Sequence, residues 1–161
     1  MRKLVGTLTI SVLFMLCAKG LQAQTLDQTA LMKQFLGKWQ SSVMNDTAEV
    51  WDFQQSGNTF TSDVNFLVKG KKTPFRKGSA IYSPEMVKFK GTELMANGSK
   101  DTWLGSFISD KKFSIDFVQD FNPQVVFWKL DIVFDSPSSF TMTGYSKDGV
   151  KAWDRKYTRL N

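Results

Sequence analysis

Three polar side chains, Ser62, Arg155 and Tyr157, share strand faces with large apolar residues such as Phe60, Val64 and Trp153. An arginine aimed into an apolar interior suits a carboxylate or phosphate head. The hydroxyls of Ser62 and Tyr157 would be the few further polar groups that orient a ligand at the mouth of such a pocket. Five carboxylates, Asp52, Asp63, Glu93, Asp116 and Asp131, could in principle supply the pair that glycoside chemistry needs. Most of them fall on the polar faces of strands, where solvation explains them. The chain has no histidine and one cysteine, Cys17. The usual general base near neutral pH is therefore missing, as are the commonest metal and haem ligands. No glycine-rich phosphate loop follows a strand. These absences lead to the expectation of a protein that is not an enzyme and holds neither metal nor cofactor.

The elements that must position these groups are strands. Between Thr59 and Val68, the residues Phe60, Ser62, Val64, Phe66 and Val68 alternate with Thr61, Asp63, Asn65 and Leu67. A period of two means a strand with one face toward a core. Comparable runs predict strands over 38–44, 48–55, 59–68, 75–83, 86–94, 101–109, 112–119, 125–134, 139–146 and 151–160. The gaps hold turn residues, such as Ser56-Gly57-Asn58, Ala96-Asn97-Gly98 and Lys147-Asp148-Gly149, and none has room for a crossover helix. Lys69-Gly70-Lys71-Lys72 reads as a solvated hairpin tip. Short gaps force consecutive antiparallel hairpins. The expected fold is all-β, an up-and-down antiparallel meander barrel of about 8–10 strands. An open, strongly curved sheet is the alternative. Before the first strand, Leu26, Ala30, Leu31 and Phe35 recur at helical spacing, with Thr25 or Asp27 as N-cap and Gly37 as the stop.

A short helix, then Gly37-Lys38-Trp39 at the head of a meander, resembles the lipocalins and their wider calycin relatives, and most closely the lipocalin-like domains of secreted bacterial proteins. The resemblance covers most of residues 27–160 by pattern. It implies that Trp39 lies at the closed end of a barrel beneath an arginine of the last strand. In a closed meander the last strand runs antiparallel to the first, so Arg159 lies beside Trp39 and Arg155 sits further up. The pattern departs from the family in strand number, since lipocalins have eight. Fatty-acid-binding proteins have ten, but a helical pair follows their first strand, and here only Asn45-Asp46-Thr47 intervenes.

The expected function is that of a binding protein with a small hydrophobic or amphipathic ligand inside the barrel. Phe66, Trp103, Phe107, Trp128 and Trp153 would line the site, with Arg155 and Tyr157 as its polar groups. The alternative is a barrel filled by those aromatics, acting through its surface on a protein, glycan or envelope partner, with Phe75, Tyr82 or Phe121 exposed near the hairpin tips. Strand 125–134 is apolar on both faces, Val125, Phe127 and Val133 lying opposite the main stripe. Either the helix or a second subunit, in a homodimer, would cover that patch. At the N-terminus, Arg2 and Lys3 precede an apolar run from Leu4 to Ala18, with small residues near Ala23. Residues 1–23 read as a cleaved signal peptide and 24–161 as one domain, secreted or periplasmic. Lipoprotein anchoring at Cys17 is the alternative, which the large Leu16 disfavours. The signal takes three of the 21 basic residues and none of the 15 acids, so the formal charge of +6 falls by three. That balance gives no nucleic-acid footprint.

Overall fold

The computed structural model describes residues 26–161; the expected signal peptide and Cys17 lie outside the described residues. One short helix, α1 (Gln28–Met32), runs into a 3-10 turn (Lys33–Phe35). Ten strands follow: β1 (Gly37–Met44), β2 (Thr47–Ser56), β3 (Thr59–Val68), β4 (Lys71–Ser83), β5 (Lys88–Met95), β6 (Lys100–Phe107), β7 (Lys112–Val118), β8 (Val126–Ser136), β9 (Ser139–Ser146) and β10 (Lys151–Arg159). Each pairs antiparallel with its sequence neighbour, and β10 returns to β1, so the sheet is a closed barrel. Closure removes the two bare edges that an open meander would expose. The seam is short: only Trp39↔Arg159 and Gln40↔Thr158 are in register between β1 and β10.

The helix is held at its start by Asp27, whose Oδ1 accepts from the Ala30 amide at 3.0 Å and the Thr29 hydroxyl at 2.9 Å. It does not cover the outer face of β8. It plugs one end of the barrel, and Val125, Phe127 and Val133 stay exposed. Connectivity explains the placement, because β1 begins one residue after Leu36 and leaves no span to reach β8. Burial explains why the plug holds. Phe35 sits among the rings of Phe53, Phe113, Phe134 and Phe140, at centroid distances of 5.3, 5.7, 4.9 and 5.9 Å. Tilted and edge-on contacts of this kind add to the apolar area removed from water. The buried Gln28 amide completes the join. Its Nε2 donates to the Phe107 carbonyl at 3.0 Å, and its Oε1 accepts from the Phe107 N–H at 2.7 Å.

The same end explains Gly37-Lys38-Trp39. Gly37 has φ of +108°, and a Cβ there would lie 2.8 Å from Nη1 of Arg159. Glycine thus turns the chain from helix into strand and leaves room for the arginine. The Arg159 guanidinium lies 4.2 Å from the centroid of the Trp39 ring. It donates through Nη1 to the Leu36 carbonyl, through Nη2 to Gln34 O at 3.0 Å, and through Nε to Pro137 O at 3.1 Å. Carbonyls left over at the helix terminus need such donors. Trp39 is fully buried, and its Nε1–H donates to Phe35 O at 2.6 Å.

Above this plug the lower half of the barrel is packed solid with aromatics. Phe140 stacks on Tyr157 at 4.8 Å and lies 4.7 Å from Trp39. Midway up, a void of about 50 Å³ remains between Trp51, Phe60, Ser62 and Trp103. An apolar cavity that holds a molecule as small as benzene measures about 150 Å³. The deep interior is therefore filled.

Candidate functional site at the open end

A cleft of about 200 Å³ opens at the end opposite the plug, bordered by Met95, Phe117, Phe127, Trp128 and Trp153, with Arg76, Glu93 and Asp101 as its polar lining. Two irregularities shape its rim. The register of β3 and β4 steps from Val64↔Arg76 to Asn65↔Pro74, which leaves Phe75 as an extra residue. The register of β7 and β8 steps from Phe117↔Trp128 to Val118↔Val126, leaving Phe127 extra. Such bulges re-aim a side chain locally. Phe75 packs on Phe66 at 4.7 Å, and Phe127 lies 6.2 Å from Phe117. Strict alternation places Phe127 on the outer face; the bulge brings it to the rim, where it borders the cleft and stays 46% exposed.

Trp153 owes its position to a glycine. It pairs directly with Gly144, and its ring lies flat across that residue: a Cβ on Gly144 would come within 2.5 Å of Cε2. Trp103 lies across Gly91 in the same way. The inward glycines thus make room for indoles on neighbouring strands. Gly144→Ala is expected to displace the Trp153 ring from the cleft wall. The expected result is a shifted tryptophan emission maximum with the far-ultraviolet spectrum kept. An unchanged emission spectrum in the folded variant would count against this account of the wall.

The floor of the cleft is charged, and it is built from inward positions of five strands. Glu49 on β2 is 3% exposed. Its carboxylate accepts from Trp51 Nε1 at 2.9 Å, from the Tyr157 hydroxyl at 2.9 Å and from Arg155. Arg76 on β4 donates to Glu93 on β5 at 2.9 Å, and its Nη2 lies 3.9 Å from Glu49. The Arg76 guanidinium sits over the Trp51 ring at 4.4 Å and the Phe75 ring at 5.4 Å. Its Nε is buried without a hydrogen-bond partner. An orphan donor of that kind costs about 1–3 kcal/mol, so the cluster is not the cheapest way to fill a barrel. Asp101 on β6 stands directly opposite Glu93 in the β5–β6 pairing. It has no ion-pair partner among the described residues. Burial raises the Glu93 carboxyl above the ordinary range; Arg76 opposes that shift and the neighbouring Asp101 adds to it. Burial likewise raises the Tyr157 hydroxyl, with the Glu49 carboxylate adding to the effect. Tyr157 therefore stays protonated and donates.

The residues expected to line a ligand site divide by height. Trp128 and Trp153 border the cleft. Phe66, half-buried, lies opposite Glu49 in the β2–β3 pairing. Arg155 and Tyr157 belong to the charged floor, where Arg155 is engaged by Glu49 and its charge is neutralised within the chain. Trp103 borders the small central void. Phe107 lies at the plugged end, 6.2 Å from Phe35 and 4.8 Å from Phe113. Ser62 also borders the void, not the cleft. Phe75 and Tyr82 pack against the core, and Phe121 is half-buried beside Lys90. Of the five carboxylates considered for catalysis, Asp52, Asp116 and Asp131 pair outside the barrel with Lys38, Lys88 and Lys112, and only Glu93 reaches the cleft.

Glu49 and Arg76 are the functional candidates that alternation alone did not single out. A signal was present. Glu49, Trp51 and Phe53 alternate on one face of β2, which puts a carboxylate on an apolar stripe. Arg76 shares the inward parity of Gly78, Ala80 and Tyr82.

No family model and no curated protein matches the chain. Among solved structures it is similar to a redesigned β-barrel, mFAP1, bound to DFHBI, at 17% identity over 82% of this chain and 99% of that one, with a TM-score of 0.31. What stands on the strand pairing itself is a closed ten-stranded antiparallel barrel with one short helix before β1. No helix among the described residues is long and apolar enough to cross a membrane.

Proposed function

We propose that this chain is a secreted, lipocalin-like, non-enzymatic binding protein that takes a small amphipathic ligand at the open end of its barrel. The observation that carries this is the cleft of about 200 Å³, walled by indoles and floored by ionised groups, above an interior that is otherwise packed. An apolar wall with a few placed polar groups is the usual make-up of a small-molecule site. The packed interior sets the scale: a compact molecule fits, whereas a long acyl chain has no channel below the charged floor. A non-enzymatic role is supported by Glu49, whose carboxylate is occupied by Trp51, Arg155 and Tyr157.

The test is native mass spectrometry of the protein purified from its source without detergent, followed by titration of tryptophan fluorescence. A reproducible small added mass, released by organic solvent, is expected. Trp128→Arg should abolish the fluorescence response while the circular dichroism spectrum stays that of the barrel. Unchanged binding in the folded variant would falsify the placement of the site.

The exposed strip of Val125, Phe127 and Val133 supports a second reading, in which the outer face of β8 meets a second copy or another partner. The same mass spectrum separates the two, since doubled mass with no small adduct favours the surface.

A further inference from the structure

We infer that the cleft selects an organic cation, a compact ammonium compound with an apolar body, through the Glu93–Asp101 pair and the indole walls; this rests on the open-end binding site proposed above.

The charge count comes first. Three carboxylates, Glu49, Glu93 and Asp101, share this end of the interior with two guanidinium groups, Arg76 and Arg155. Both cations are already committed, Arg155 to Glu49 and Arg76 to Glu93. An anionic head would therefore have to displace a carboxylate from a buried partner. The negative charge that remains faces the cleft. Glu93 and Asp101 are opposite each other across one pair of strands, an arrangement that is unfavourable for like charges. A cation held between them would remove that repulsion.

The walls agree with the floor. Trp128, Trp153, Phe117 and Phe127 border the same space. Aromatic faces attract ammonium groups, tryptophan most strongly. The chain already uses this contact, with the Arg155 guanidinium 5.5 Å from the Trp153 ring. Among the described residues lining the cleft no lysine occurs, and Arg76 is the one cationic side chain. A second ammonium therefore meets no free competitor inside.

The inference makes the affinity depend on pH in a defined sense. Glu93 faces Arg76 from β4, Asp101 from β6 and Glu49 from β2, with Arg155 and Tyr157 of β10 behind Glu49. Its carboxyl is raised above its ordinary value of 4.5. The folded chain therefore holds that proton more tightly than the unfolded chain, and the stability this group contributes at low pH is lost as pH rises through the raised value. A bound ammonium favours the ionised carboxylate. Affinity for it should rise over that same window, whereas affinity for a neutral isostere should stay flat.

The experiment compares 2-phenylethylammonium, 2-phenylethanol and phenylacetate by calorimetry and tryptophan fluorescence on the intact protein. The ammonium compound is expected to bind about tenfold or more tighter than the alcohol, with phenylacetate weakest. Asp101→Asn keeps size and shape, and should bring amine and alcohol to near parity while the folded spectrum holds. An alcohol or acid that binds as tightly as the amine overturns the cation inference and leaves the cleft site standing. So does an amine preference that survives Asp101→Asn. If none of the three perturbs the tryptophans or releases heat, both the inference and the binding site beneath it fail.

Discussion

Replacing Glu49 with leucine is expected to cost about 3–5 kcal/mol of stability, the range seen when one partner of a buried ion pair is removed. The carboxylate is 3% exposed and serves four groups on three other positions of the interior wall and its own strand. Without it, Arg155 loses its carboxylate, the Tyr157 hydroxyl and Trp51 Nε1 lose their acceptors, and Arg76 keeps only Glu93. Arg155 is 29% exposed and can turn part of its charge toward water, which argues for the lower half of that range. Glu49→Leu combined with Arg155→Met removes both ends of the main ion pair. The double variant should recover roughly half of the loss, since a buried pair replaced by apolar groups is often neutral. Urea denaturation of the two variants beside the parent protein reads this directly. A single-variant loss below about 1 kcal/mol, or a double variant no better than the single, would show that the cluster is not held as a unit.

Trp39→Ala should cost about 3–5 kcal/mol, as large-to-small changes of buried aromatics do. The indole is fully buried against Phe134 and Phe140, and its N–H satisfies the Phe35 carbonyl at the plug. The variant leaves a cavity, an unpaired carbonyl and a guanidinium with no ring beneath it. Arg159→Ala should cost less, because the exposed side of that arginine can be replaced by water. The coupling between the two, taken from a double-mutant cycle, is expected at about 0.5–2 kcal/mol. A cycle that closes to zero would mean that the ring and the cation are neighbours without interaction. Against a typical domain stability of about 5–15 kcal/mol, either Glu49→Leu or Trp39→Ala removes a large share.

Much of the fold was legible because it follows from a period and a set of gaps. Alternation in Phe60–Val64 and Phe113–Phe117 marks strands whichever partner they find, and turn residues every eight to twelve positions exclude crossovers. The alignment of Trp39 with Arg159 was legible from topology, since an antiparallel return fixes which end of β10 meets β1. The position of the helix was not. Its apolar residues say that it must be buried, but not whether against the outer face of β8 or in the mouth of the barrel, and the one-residue link at Leu36 decides that. At the cleft, bulges defeated the period. One extra residue at Phe75 and one at Phe127 shift the parity of everything beyond them, and nothing in the residue types marks the insertion. The charged floor was obscured for another reason. Alternation marks apolar faces, and Glu49 and Arg76 occupy such faces as exceptions.

The two-residue seam has a consequence for how the barrel comes together. Nine of its pairings join strands adjacent in sequence, which can zip locally through short turns. The tenth must bring together groups as far apart as Arg159 and Leu36, separated by 123 positions. Loop-closure entropy weighs most heavily on that step, so the seam is expected to close last, from a curved ribbon whose first and last strands are bare edges. The last strand carries Lys151, Arg155 and Lys156, cationic side chains of the kind that discourage two ribbons from pairing edge to edge. In the finished barrel one of them, Arg155, turns inward to Glu49. The same charge guards the ribbon before closure and anchors the floor after it.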